Sequence, residues 1–175
     1  MTAIATLALG ADALDTHAGA LARIMAETVN GGAAIGYMQP FTQADGLAFF
    51  EEAVFPEVRA GRRRLIVALC DDTVAGTVQL ITALPPNQPH RCEVAKMMVA
   101  PAFRRRGIGR ALMAALDAEA RAAGKSLITL DTRTGDVAEP LYRAAGFRTA
   151  GVIPGFALDA DGAGLHATTY MYKPL

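Results

Sequence analysis

The segment that most constrains this chain is Val99-Ala100-Pro101-Ala102-Phe103-Arg104-Arg105-Arg106-Gly107-Ile108-Gly109-Arg110-Ala111: a strand-like run, a proline turn and the start of a helix. From Gly107 to Ala123, the residues Ile108, Ala111, Leu112, Ala115 and Leu116 share one helix face, and Gly124 supplies the stop. The first N–H groups of a helix lack internal partners and sit at the positive end of its macrodipole. Gly107 and Gly109 present no side chain to a phosphate approaching those donors. Arg104, Arg105, Arg106 and Arg110 add charge around them. The pattern predicts a site for a phosphate or pyrophosphate. Neither familiar nucleotide loop fits. A Walker A loop needs Gly-Lys-Ser/Thr where Arg110-Ala111 stand, and a dinucleotide fingerprint needs a third glycine where Leu112 stands. The competing reading is a glycine-opened helix with a solvated arginine face.

Around this segment the hydrophobic period changes twice. Thr2 to Leu9 alternates like a strand, and a helix is expected from about Asp15 to Asn30-Gly31-Gly32. A second helix is expected from Thr42, where Thr42-Gln43-Ala44-Asp45 has the form of an acidic cap, to Gly61. Arg64 to Cys70 and Val74 to Thr82 read as a hairpin turned at Asp71-Asp72-Thr73. Ala83 to Arg91, with three prolines, is a loop, and Cys92 to Ala100 is a third strand. Ser126 to Leu130 reads as a strand and Pro140 to Ala145 as a short helix stopped by Gly146. A last strand, Thr168 to Tyr172, follows the polar loop Asp159-Ala160-Asp161-Gly162. Hairpin strands followed by strands alternating with helices predict a mixed α/β sheet.

Composition sets the outer bounds. The chain has 175 residues, 52% of them hydrophobic, which predicts one compact domain over 1–175 rather than a disordered chain. Seventeen basic and seventeen acidic residues cancel, so there is no electrostatic case for nucleic acid, even with Arg62-Arg63-Arg64 beside the later arginines. No apolar run approaches the roughly 18 residues of a membrane span. The opening MTAIATLALGADALDTH has no basic n-region, so a cytoplasmic protein is expected. Cys70 and Cys92 are too few for a disulfide framework, and His17, His90 and His166 have no metal-ligand spacing, so no metal is expected. The apolar fraction is compatible with a monomer or a homodimer.

Arg104-x-x-Gly107-x-Gly109, after a strand ending in Val99-x-Pro101, resembles motif A of the GNAT superfamily of N-acetyltransferases. Leu141-Tyr142-Arg143-Ala144-Ala145-Gly146-Phe147 is similar to that superfamily's LYxxxGF segment. More narrowly, His90 to Lys96, Asp131 to Tyr142 and Ile153 to Leu158 resemble the tabtoxin-resistance acetyltransferase branch. The resemblance implies a single-domain α/β GNAT-like fold, a mixed central sheet of about six or seven strands flanked by about four helices. It implies acetyl-CoA as co-substrate, with pantetheine along the backbone of Met98 and Val99 and pyrophosphate on the amides of Arg105, Arg106, Gly107, Ile108, Gly109 and Arg110. By the same resemblance Tyr142 is the general acid for the departing thiolate, and Glu93 and Asp131 handle the amine. The acceptor is then a small-molecule amine, first of all a tabtoxinine-β-lactam-like antimetabolite. One departure stands out: many members carry asparagine seven residues before the tyrosine, where this chain has Gly135.

The chemistry asks for these side-chain types. An ammonium at neutral pH must lose a proton to a carboxylate or a water relay, and a phenol is a suitable donor to a developing thiolate. The carbonyl oxygen needs a backbone N–H near Met98 or Val99. Each residue also has a plainer reading. Tyr142 fits amphipathic packing on a short helix, Glu93 an ion pair with Arg91 or Lys96, and Asp131 a cap at a strand end. Cys92 beside Glu93 reads as a buried small hydrophobe rather than a nucleophile, which favours direct transfer in a ternary complex. The alternative function is a module that senses acyl-CoA without turnover.

Overall fold

The computed structural model describes residues 3–175; Thr2, the head of the first expected strand, lies outside the described residues. The chain runs β1 (Ile4–Ala8), α1 (Leu14–Asn30), α2 (Gln43–Phe49), a π-helical turn (Phe50–Val54), α3 (Phe55–Arg59), β2 (Arg63–Cys70), β3 (Thr73–Ile81) and β4 (Arg91–Val99). It continues through α4 (Ile108–Ala122), β5 (Leu127–Arg133), α5 (Ala138–Ala144), β6 (Arg148–Leu158) and β7 (Leu165–Pro174). Since α2, the π turn and α3 are continuous, the described residues form four helical units on one seven-stranded sheet, ordered β1-β2-β3-β4-β5-β7-β6.

Alternation along the strands builds two cores. On β2, Ile66, Ala68 and Cys70 face α4, joining Ile108, Leu112 and Leu116. The intervening Leu65 and Val67 face the opposite layer, joining Leu21, Ile24 and Met25 of α1 and Phe50 and Phe55 of the second helical unit. That period of two puts a helical layer on each face of the sheet. The expected cap on α2 is a full capping box: the Asp45 amide donates to Thr42 Oγ1 at 3.1 Å, and the Thr42 amide donates to Asp45 Oδ2 at 2.8 Å. Beyond it, Pro56 has no N–H for the helix ladder. The helix widens one turn earlier, with the Phe55 amide reaching back five residues to the Phe50 carbonyl.

Two expectations are corrected. The strand expected at Ser126 to Leu130 runs on to Arg133, because β7 pairs with it from Leu127↔Pro174 to Arg133↔Thr168. Asp131 therefore stands inside the ladder, opposite Tyr170, and is not a strand-end cap. The sequence reading also left Arg148–Leu158 without an element, and it is the edge strand β6. Gly151, Pro154 and Gly155 interrupt its alternation, and its pairing with β7 slips at two places. An edge strand tolerates such breaks because one of its sides has no ladder to satisfy.

The neighbours β4 and β5 position the site. They are the sheet's parallel pair, joined from Arg91↔Leu127 to Glu93↔Thr129, and beyond those residues no pairing continues. From Val94 to Val99, β4 pairs with β3 alone, so one edge of its backbone is open.

Candidate active site

The opening between β4 and β5 is the mouth of a cleft of about 1440 Å³. That exceeds the several hundred Å³ typical of single small-molecule pockets, so there is room for two ligands at once. Its walls are β4 from Glu93 to Val99, the start of α4, the β5–α5 segment, the loop after α1 and part of β6.

The turn from β4 into α4 forms one side. Gly107 caps the helix at φ +88°, a left-handed conformation that favours glycine. The helix ladder begins with the Ala111 amide on the Gly107 carbonyl at 3.1 Å. The six amides from Arg105 to Arg110 precede that bond, and among the described residues none makes a backbone hydrogen bond elsewhere. Arg104, Arg105 and Arg110 line the cleft and are exposed. None of the four arginines pairs with a carboxylate among the described residues, so their charge is available to an anion. Arg106 is set apart: its guanidinium lies 5.5 Å from the centroid of the Phe103 ring, and it does not line the cleft.

Gly109 has a packing role that its sequence does not suggest. A Cβ there would sit 2.8 Å from Leu141 Cδ2, so its missing side chain makes room for α5. Gly109 also lines the cleft, and the glycine that backbone conformation demands is Gly107. Gly135, where many of the resembled proteins have asparagine, is also left-handed at φ +77°, and its amide donates to Glu139 Oε2 at 2.9 Å.

Tyr142 projects from α5 and is 7% exposed, with its ring edge-on to Phe147 at 6.0 Å. Burial drives its phenol well above the ordinary value near 10, and the charges of Asp136 and Asp131 push the same way. The hydroxyl is therefore a hydrogen-bond donor at any working pH.

The two carboxylates share a sheet face, since Glu93 pairs with Thr129 and Asp131 lies two residues further along β5. Their partners differ. Arg91 holds Glu93 Oε2 at 3.1 Å, whereas Asp131 Oδ2 accepts a hydrogen bond from the Thr168 hydroxyl at 3.0 Å and forms no ion pair among the described residues. Met98 is 2% exposed and Val99 half-buried, both on the open reach of β4.

Cys92 is fully buried on the opposite face, and desolvation pushes its thiol up to about 11, so it is no nucleophile at neutral pH. Among the described residues no cluster of His, Cys, Asp and Glu is placed to hold a metal, and no helix is long and apolar enough to cross a membrane.

Sequence reasoning missed three parts of the site. His166 and Arg133 both contact Asp159 Oδ1, at 3.1 and 2.8 Å, and the pairing of β7 with β6 and with β5 brings them to the cleft. The third is Lys96. Thr77 opposes Met98 and Gln79 opposes Ala95, so β4 carries one extra residue and bulges at Lys96-Met97. Lys96 takes φ +50°, which costs a side-chain-bearing residue on the order of 1 kcal/mol. The break in alternation across Ala95-Lys96-Met97-Met98 was the available signal.

Solved structures cover nearly the whole chain. A GCN5-related N-acetyltransferase from Kribbella flavida is 26% identical with a TM-score of 0.80, over 99% of this chain and 98% of that one. A ribosomal-protein-alanine N-acetyltransferase from Brucella melitensis is 21% identical (TM-score 0.80; 98% and 99% covered). A Salmonella typhimurium protein solved with its cofactor acetyl-CoA is 19% identical (TM-score 0.79; 99% and 94% covered). The last two likenesses speak for the fold alone. Among curated proteins, the mycothiol acetyltransferase of Mycobacteroides abscessus is 38% identical over 72 residues, 41% of this chain and 24% of that protein. The matched stretch thus spans about a quarter of that relative's length. The model of the acetyltransferase (GNAT) family matches residues 24–147, which run from within α1 through the open edge of β4 and the α4 amides to Tyr142 and Phe147. With β2 to β5, the start of α4 and Tyr142 inside that match, which takes in more than half of the chain, the chain belongs to the acetyltransferase (GNAT) family.

Proposed function

We propose that this chain is an acetyl-CoA-dependent N-acetyltransferase that acetylates the amine of a small molecule by direct transfer in a ternary complex. The observation that carries the reading is the pairing of an open β4 edge with six unpartnered amides at the start of α4. A linear thiol carrying a pyrophosphate fits both at once. The amides of Arg105 to Arg110, with Arg104, Arg105 and Arg110, would hold the pyrophosphate, and the backbone of Met98 and Val99 would align the pantetheine. Bound acetyl-CoA supplies an activated acetyl thioester.

This chain's residues then have separate tasks. Asp131 takes the proton that the attacking amine must lose, because Glu93 is already engaged by Arg91. Glu93, paired with Arg91, lines the same face beside the ammonium. Tyr142 donates its hydroxyl to the departing sulfur as charge grows there. In balance, the ammonium loses one proton to Asp131 and on to solvent before attack and a second after the C–N bond forms; the C–S bond breaks, sulfur takes the Tyr142 proton, and the second nitrogen proton restores the phenol. For the acceptor we propose an amino-acid-like amine of the tabtoxinine-β-lactam kind, which the segments His90 to Lys96 and Asp131 to Tyr142 favour by their resemblance.

Free CoA thiol, followed with a thiol reagent, tests the reading. Release from acetyl-CoA should require an added primary amine and should match the amide formed one to one. Release that ignores the amine, or no release with any amine while acetyl-CoA stays bound, overturns it in favour of a non-catalytic acyl-CoA binder.

A further inference from the structure

Lys96 is a cation in the cleft to which the transfer chemistry gives no task. Its Nζ donates to the Ile35 carbonyl at 2.7 Å and lies 5.5 Å from the centroid of the Tyr37 ring, so it ties the β4 bulge to the loop that follows α1. An ammonium has three donors, which leaves two for other partners. Lys96 makes no ion pair among the described residues, and it lines the cleft together with Glu93 and Asp131. The other charges nearby are Asp131, which favours the ammonium, and Arg63, which opposes it.

Arg104, Arg105 and Arg110 stand at the start of α4, on the side assigned to the pyrophosphate, and Asp136 at the start of α5; the other charges beside Lys96 are paired. Arg91 neutralises Glu93, while Arg133 and His166 share Asp159. Of the charged groups on β4 and β5 that line the cleft, Lys96 and Asp131 are one positive and one negative group without ion-pair partners among the described residues. Thr28, whose carbonyl accepts from Ala33 of the same loop, also lines the cleft, and its buried hydroxyl has no partner. Burial also holds Lys96 below the ordinary lysine range, as expected for a cation that lacks a counter-ion.

Resting on the acetyltransferase reading, we propose that Lys96 binds the carboxylate of the acceptor, which is an α-amino acid with its amine directed to Asp131 and its carboxylate to Lys96. An ammonium and a carboxylate on one carbon match a cleft lined by both charges, with Asp131 near enough for its charge to favour the Lys96 ammonium. The Thr28 hydroxyl offers the carboxylate a second donor. An amine without the neighbouring carboxylate leaves Lys96 desolvated and uncompensated, and the site discriminates against it.

The test compares the protein L-α-amino acids with their C-terminal amides as acceptors, for the wild type, Lys96→Met and Lys96→Arg, reading kcat and KM from CoA release. Acetyl-CoA affinity is measured separately by calorimetry, and folding by circular dichroism. The wild type should prefer free acids by ~30-fold or more in kcat/KM, as expected for a desolvated charge pair, and mainly through KM. Lys96→Met should bring the ratio to about one, and Lys96→Arg should retain part of it. Amides used as well as acids by the wild type, an unchanged ratio in folded Lys96→Met, or transfer to no free acid while acetyl-CoA binds overturns the inference. Failure to bind acetyl-CoA overturns the acetyltransferase reading beneath it instead.

Discussion

Replacing Gly109 by alanine separates two roles for one residue. The added methyl would lie 2.8 Å from Leu141 Cδ2, against an ordinary carbon–carbon contact of about 3.5–4.0 Å. The end of the Leu141 side chain must therefore yield by roughly 1 Å, at about 1 kcal/mol of overpacking. Alanine returns up to ~1 kcal/mol of helix propensity at the same position. Net destabilisation is then about 1 kcal/mol or less, a fall in Tm of roughly 2–4 °C. The displacement falls on α5, whose next residue is Tyr142. A 1 Å misplacement of a reacting group lowers turnover by up to ~100-fold. To the extent that α5 follows Leu141, Gly109→Ala should thus lose up to about 10-fold in kcat while its calorimetric Kd for acetyl-CoA moves by no more than about threefold, since the methyl points to Leu141. Loss of more than tenfold in acetyl-CoA affinity, with turnover of the saturated enzyme intact, would refute this reasoning and return Gly109 to the phosphate.

Three further outcomes are expected. Tyr142→Phe keeps the ring against Phe147, so Tm should hold while kcat falls ~100-fold or more and KM changes little; an equal loss in binding refutes the donor role. Gly107→Ala forces a side chain into φ +88°, at on the order of 1–2 kcal/mol, and should weaken acetyl-CoA binding by disturbing the amides it precedes; unchanged affinity detaches the anion site from this turn. Cys92, raised from about 9 to about 11, stays protonated in the fold where the unfolded chain ionises. Its stabilising contribution is complete below about pH 9 and fades toward pH 11, and chemical denaturation of Cys92→Ala should lack that part of the slope; an identical slope removes Cys92 as its source.

What could be read from the sequence follows the physics of each element. The strand–turn–helix at Val99 to Ala111 is written in local terms, a proline, glycines and a 3.6-residue apolar period, and α4 begins within one residue of the expected place. The capping sequence at Thr42 likewise marks the start of α2 because both of its hydrogen bonds are local. What was illegible depends on distant pairing. The end of β5 is set by β7, more than thirty residues downstream, so Asp131 was placed one structural context too early. β6 has little burial of its own to impose a pattern, and its existence rests on β7. The bulge at Lys96 is a mismatch between β4 and β3, of which β4 alone shows only a break in alternation. Gly109 shows the limit of motif reading: its spacing marks the helix start, but only the packing of Leu141 reveals what its missing side chain makes room for.

The central claim is that the open edge of β4 and the amides before Ala111 form an acetyl-CoA site. Calorimetric titration of the purified protein with acetyl-CoA, beside ATP and NAD, tests it most directly. The account predicts saturable one-to-one binding of acetyl-CoA in the micromolar range, with neither ATP nor NAD matching it. Folded protein that binds none of the three, or binds ATP or NAD as tightly, contradicts the claim and leaves the arginine-rich turn as a solvated helix start.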